Sequence, residues 1–256
     1  MEYGVCGGPE MARMAADAGY GFFEWGVPDF LKPREDPAAF QDARAQVRQV
    51  PLFCAAVNRF VPGDLKITGP DADLAALGEY ATTACGRAEQ AGVPVIVFGS
   101  GGARNIPDGF DRNAAWGQLV DFGRMLGPIA AAHGVTVAVE PLHQGACNVL
   151  TTVGECAALV REVDHRAIRL LVDSYHWGTD HDSAEDIVAN GGLLAHVHVG
   201  TVANRMAPGL EEYDFAPFFE ALKAGGYDGR VSIEAKLPDP AADLPRALDV
   251  LKALGG

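Results

Sequence analysis

Four side chains stand where a cation could be held. Glu140 closes the apolar run "VTVAVE", Asp173 closes "IRLLVD", His198 sits near the end of "LAHVHV", and Glu234 closes "RVSIE". Three carboxylates and one imidazole make a mixed oxygen and nitrogen donor set. Such a set suits one divalent ion, Mn²⁺ foremost, with Mg²⁺, Co²⁺ or Zn²⁺ as alternatives. Taken singly, each residue has an ordinary explanation: a carboxylate after a strand caps the next helix, and a lone histidine is satisfied in a core. Four of them at the same end of successive runs are harder to assign to capping, and three clustered carboxylates repel one another without a cation. His196, two residues before His198, faces the same side one layer deeper and reads as a core residue or a support for a ligand. His176 lies three residues past Asp173 in "DSYH", and Arg205 lies seven past His198 in "VANRMAPG". An imidazole and a guanidinium above a metal would serve a polyhydroxylated, partly anionic transition state. Arg205 reads equally well as a solvated loop charge.

Elements must bring these residues together. Candidate strands are "YGVC" (3–6), "GFFEW" (21–25), "LFCAAV" (52–57), "VPVIVF" (93–98), "VTVAVE" (135–140), "IRLLVD" (168–173), "LAHVHV" (194–199) and "RVSIE" (230–234). Amphipathic patterns lie between them: "PEMARMAADAG", "DADLAALGEYATTACGRAEQAG", "DRNAAWGQLVDFGRMLGPIAAAHG", "TVGECAALVREV", "SAEDIVANG", "FAPFFEALKAGG" and "DLPRALDVLKALGG". The first opens on proline and ends in glycine, as helices do, and Pro128 marks a kink in the third. The series reads as eight strands alternating with eight helices. The strand runs are rich in Val, Ile and Leu with little alternation, as when both faces are buried. With 256 residues, this predicts an α/β chain folded as one (β/α)8 TIM barrel over 1–256. A doubly wound sheet would carry a glycine-rich phosphate fingerprint after its first strand, and the paired glycines of "VCGGPEM" fall short of it. In a barrel the four ligand candidates, on four successive strands, meet at the C-terminal mouth.

Composition narrows the function further. At 48% hydrophobic and 21% charged, the chain is an ordinary globular one, with no apolar run of membrane-spanning length and no signal-peptide pattern at "MEYGVCGGPE". A formal charge of −14 repels phosphate backbones, so nucleic acid is not an expected partner. The five cysteines, scattered and without a CxxC pair, fit free buried thiols in a cytoplasmic protein. Only Arg59, Arg104 and Arg205 hint at a phosphate clamp.

At these residues the chain resembles the sugar isomerase/epimerase superfamily with a xylose isomerase-like barrel, which includes D-tagatose/D-psicose 3-epimerases, hydroxypyruvate isomerase and inosose dehydratase. The matching motifs are "VEPLH", "LVDSYH", "AHVHVGTVANRMAPG" and "SIEAK", with "NRFVPGDLKITGP" and "VFGSGGARNIPDG" similar to substrate loops. The resemblance implies that Glu140, Asp173, His198 and Glu234 bind one divalent metal, and that Glu140 and Glu234 are also the acid/base pair. It implies that His176 and Arg205 hold substrate oxygens, and it adds Asn58, at the head of its loop, as a substrate contact. The reaction implied is proton abstraction alpha to a carbonyl through a metal-stabilised enediolate.

One run departs from the family pattern. Ketose epimerases of this group carry Glu-Pro-x-Asn-Arg-x-Glu after the fifth strand. Here the run is "EPLHQGACN", so His143, Gln144 and Ala146 replace Asn, Arg and the last Glu. Alanine cannot make a carboxylate's contact to a hydroxyl, which argues against a free-ketose 3-epimerase. His143 is either an added substrate contact or a loop histidine facing water. The expectation is therefore an isomerase or epimerase of a carbohydrate, as a monomer or homo-oligomer. A lyase on the same site is the alternative, either an inosose-type dehydratase or the catalytic subunit of a hetero-oligomeric C-glycoside deglycosidase acting on 3-keto-glycosides. A DNA-repair enzyme of the endonuclease IV type would need a three-zinc, histidine-rich cluster and a basic groove, and a non-catalytic metal-binding subunit would not need the acid/base pair.

Overall fold

The computed structural model describes residues 1–255. Eight parallel strands close on themselves in chain order. They are β1 (Glu2–Cys6), β2 (Phe22–Gly26), β3 (Phe53–Asn58), β4 (Val95–Phe98), β5 (Thr136–Val139), β6 (Ile168–Asp173), β7 (Leu194–Val199) and β8 (Arg230–Ile233). The ring closes where Glu2 to Val5 of β1 pair with Arg230 to Ile233 of β8.

The helices are α1 (Pro9–Ala18), α2 (Val27–Phe30), α3 (Pro37–Val47), α4 (Leu74–Ala91), α5 (Gly101–Arg104), α6 (Arg112–Ala132), α7 (Val153–Val163), α8 (Ser174–Thr179), α9 (Ala184–Asn190), α10 (Ala216–Ala224) and α11 (Pro240–Gly255). Local chemistry sets their ends. Asp36, Asp73, Asp111, Thr152 and Ser183 each accept a backbone N–H as N-caps. Gly19 and Gly92 end α1 and α4 at φ of 93° and 74°, a left-handed turn that glycine takes without Cβ strain. Helix α3, which none of the quoted patterns marks, supplies the outer helix between β2 and β3. Helix α6 runs through Pro128 as one element. The short helices α2, α5 and α8 follow directly on β2, β4 and β6, in connections that frame the mouth.

The core has two layers. The larger lies between strands and helices, and the smaller joins Ala56, Val95, Val97, Ala138 and Leu171 on the inner faces of β3 to β6. Strand alternation puts His196 and His198 on that same inner face. In the ladder Leu171 lies beside His196, Asp173 beside His198, and His198 beside Ser232.

Candidate metal centre

The barrel brings four of the expected residues to one point. Glu140 and Glu234 stand one residue past β5 and β8, and each keeps the ladder going by one hydrogen bond, to the carbonyls of Phe98 and Val199 (both 3.1 Å). Their carboxylates approach Nδ1 of His198 at 3.3 Å (Glu140 Oε1) and 3.4 Å (Glu234 Oε2). Glu140, Asp173, His198 and Glu234 each offer one donor atom, and these atoms all lie within 4.8 Å of one another. Asp173 serves two ends. Its Oδ1 accepts the Tyr175 N–H at 2.9 Å and caps α8, while Oδ2 turns to the cluster.

The rim adds donors. Arg205 reaches Asp173 Oδ2 at 3.0 Å, also contacts Glu234, and lies 4.5 Å over the Tyr175 ring, so it is a partner of the cluster and not a solvated loop charge. It holds φ at +53°, a left-handed conformation that costs a side chain other than glycine energy and is tolerated where surroundings fix it. Asn58 ends β3 and donates to Glu234 Oε1 at 2.9 Å. His176 places Nε2 3.8 Å from Asp173 Oδ2. His143 stacks on His176 with centroids 4.9 Å apart, and the two Nδ1 atoms are 2.7 Å apart. The His143 backbone N–H also donates to His176 Nδ1, at 3.1 Å. His143 is a half-buried residue of the loop after β5 that packs on His176 and is not among the residues lining the mouth. The mouth is a cavity of about 410 Å³ lined by Asn58, Glu140, His176, Arg205 and Glu234 among others. Ala146 lines a separate hollow of about 570 Å³ beside it, together with Lys66, Asn105 and Asn148.

The electrostatics fit a cation. Burial pushes the Glu140 and Asp173 carboxyls above their usual range, against the pull of His198 on the first and of Arg205 on the second. Burial would raise Glu234 too, but His198 and Arg205 outweigh it and hold it low. Burial would lower His198, yet the Glu24 and Glu234 charges hold it well above an ordinary imidazole. His176 is pushed down to about 4, first by burial, so it is neutral near pH 7. A buried set of three carboxylates with one imidazole gains from a divalent ion what it lacks from solvent, and hard oxygen donors with one nitrogen match Mn²⁺ and its neighbours. The residues present fit the group.

One residue that the motifs did not single out, Glu24, belongs to this site, and Arg104 has another role than the one expected. Glu24, fully buried on β2, accepts from Nε2 of His196 (2.9 Å) and Nε2 of His198 (3.0 Å). The available signal was a carboxylate inside the apolar run "GFFEW". Arg104 is fully buried and donates to the carbonyls of Phe98 (3.1 Å), Glu140 (2.7 Å) and Leu150 (3.2 Å). It therefore drops out of any phosphate clamp, and Arg59 is paired with Asp29.

A family model described as "Xylose isomerase-like TIM barrel" matches residues 12–254. The chain belongs to the xylose isomerase-like TIM barrel family. Within this family it is similar to a D-psicose 3-epimerase of Ruminiclostridium cellulolyticum, at 30% identity over 48% of this chain and 42% of the relative. It is similar also to a 3-dehydro-D-guloside 4-epimerase of Escherichia coli, at 32% identity over 48% of each. These matches span about half the length of the curated relatives. Among solved structures, an IOLI protein with a binding zinc atom superposes with a TM-score of 0.75 at 17% identity, over 99% of this chain and 96% of that one. In this xylose isomerase-like barrel no described helix is long and apolar enough to cross a membrane.

Proposed function

We propose that this chain is a divalent-metal-dependent isomerase or epimerase of a sugar or keto-sugar. The observation that carries the reading is that Glu140 and Glu234, from strands on different walls of the mouth, meet at one imidazole nitrogen with Asp173 beside them. The names of the relatives, both sugar epimerases, support the same substrate class. Glu140, Asp173, His198 and Glu234 would hold the ion, Mn²⁺ foremost, and the IOLI protein, which shares this fold, has a binding zinc atom. When bound, such an ion supplies Lewis acidity that stabilises the negative charge of an enediolate.

The chain's own residues do the rest. One of the two glutamates takes the proton alpha to the carbonyl. Return of a proton by the other, to the opposite face, inverts that carbon, and return to the neighbouring carbon interconverts aldose and ketose. Asn58 fixes the Glu234 carboxylate through its Oε1. Because the His143 backbone N–H donates to Nδ1 of His176, the proton of the neutral His176 ring sits on Nε2, facing the mouth, where it donates to a substrate oxygen. Arg205 supplies a fixed positive charge to a second oxygen. Neutral His176 also favours a lyase on the same site, since its Nε2 proton can pass to a departing oxygen beta to the carbonyl.

Deuterium wash-in tests the reading. Chelator-treated protein, with and without Mn²⁺, is incubated in D₂O with ketoses, inososes and 3-keto-glycosides. The expected result is deuterium at the carbon alpha to the carbonyl in the Mn²⁺-loaded protein only. An unsaturated product identifies the lyase. Equal turnover without metal, or exchange with none of the compounds, rejects the proposal.

A further inference from the structure

Glu24 lies outside the mouth cavity, fully buried in the barrel, below the four-residue cluster. Its carboxylate is bracketed by two imidazoles on β7. Oε2 is 2.9 Å from Nε2 of His196, and the two oxygens are 3.0 and 3.1 Å from Nε2 of His198. An ionised carboxylate only accepts, so both Nε2 atoms carry the hydrogen. The rings stand edge to face, 5.2 Å apart and at 84°, so one carboxylate can serve both.

His196 has no other polar partner: its Nδ1 is buried without a hydrogen bond. A histidine placed for its own satisfaction would use both nitrogens. This one gives its single bond to Glu24 and so braces the carboxylate from below. The other contact of the carboxylate is His198, whose remaining nitrogen, Nδ1, faces Glu140 and Glu234.

We infer that Glu24 is a positioning residue, which accepts the Nε2–H of His198, braced by His196, and so presents the Nδ1 lone pair of His198 to the metal centre. The inference rests on the metal reading above and deepens it. A carboxylate behind a ligating imidazole fixes the tautomer and ring angle and makes the nitrogen more basic, and loss of such a partner costs about 10–100-fold in metal affinity. A glutamine at position 24 keeps the shape but removes the charge, and its amide can donate to one imidazole as readily as accept from it, so the tautomer of His198 is no longer dictated.

The test uses Zn²⁺ as a diamagnetic probe, with the full chain labelled with ¹⁵N at histidine. In wild-type protein, long-range proton–nitrogen spectra should show the His198 proton on Nε2 and a zinc-induced shift on Nδ1. By titration calorimetry Glu24→Gln should bind zinc about 10–100-fold more weakly, and Glu24→Asp, which keeps the charge, should recover part of that loss. Affinities are compared below the melting temperature of each variant. If neither variant folds, the wild-type spectrum decides alone. Zinc-loaded wild-type protein that carries the His198 proton on Nδ1, with the zinc-induced shift on Nε2, overturns the inference. So does a folded Glu24→Gln with wild-type affinity and an unchanged spectrum, which is what a purely structural core role would give. Wild-type protein that takes up no zinc rejects the metal reading itself, and the inference falls with it. Wild-type protein that binds while Glu24→Gln binds equally well removes Glu24 alone.

Discussion

Glu234 is held on both oxygens, by Asn58 on one and by Arg205 and His198 on the other. Both oxygens are thus oriented by neighbours, which leaves the group free to move a proton without moving itself. Glu234→Gln keeps the size and the Asn58 contact but cannot exchange a proton at neutral pH. Its expected effect is a fall in kcat of about 10²–10⁴-fold with little change in melting temperature, read from steady-state rates and a thermal scan of the same preparation. Near-wild-type turnover would show that the acid/base work is done elsewhere. At this scale the sequence was legible wherever a polar residue ended an apolar run, because a strand's end is a fixed address in a barrel. Glu24 escaped because a carboxylate inside a run looks like strand filler until its two imidazole partners, on a strand about 170 positions later, are known. The His143–His176 stack escaped for the same reason, since it joins the loop after β5 to the short helix α8, which neither spacing nor periodicity connects.

Among the elements, α5 is small but consequential. It is a four-residue helix after β4, and its last residue, Arg104, crosses to the ends of β4 and β5 and the loop before α7. Its guanidinium also lies 5.4 Å over the Phe98 ring. Arg104 has no carboxylate partner in the ion-pair network of the described residues, so its charge is met by three carbonyl dipoles. Arg104→Met fills similar space but leaves the buried Glu140 carbonyl without its donor, while the carbonyls of Phe98 and Leu150 keep the N–H groups of Glu140 and Leu142, at a cost of about 2 kcal/mol. The melting temperature should fall by roughly 4–8 °C, and metal affinity should fall with it because Glu140 loses one of its two backbone hydrogen bonds. Unchanged stability in a thermal scan would contradict this account of α5. The long helices were readable from their caps and apolar faces. Helix α3 was not, because it buries only Phe40 and Ala43 and its other apolar residues are alanines or stand at its two ends, which leaves no strong apolar face to mark it. The short helices α2, α5 and α8 span less than two turns each, below the length at which a period can be recognised.

For the whole molecule, the acidic surface and the acidic centre act in the same direction. The net charge of −14 draws cations toward a mouth that already gathers carboxylates. An ion that binds only the folded chain stabilises it by about 2.7 kcal/mol at a hundred times its dissociation constant. For a domain of this size that raises the melting temperature by roughly 5–10 °C. A thermal scan with Mn²⁺, reversed by chelator, checks it, and identical curves would deny a site. The closed barrel was the most legible feature of all, since eight buried strand runs alternating with helices leave few other ways to cover both faces of a parallel sheet.

The ring closes between its first and last strands, and the last strand leads into Glu234. The fourth donor therefore reaches the others only when the newest stave docks against the oldest. A chain halted before residue 230 would own three donors and two ragged sheet borders, able neither to grip an ion well nor to hide its backbone. On the proposed metal reading, loading with the ion and completing the cylinder would be one late event in the life of the nascent chain.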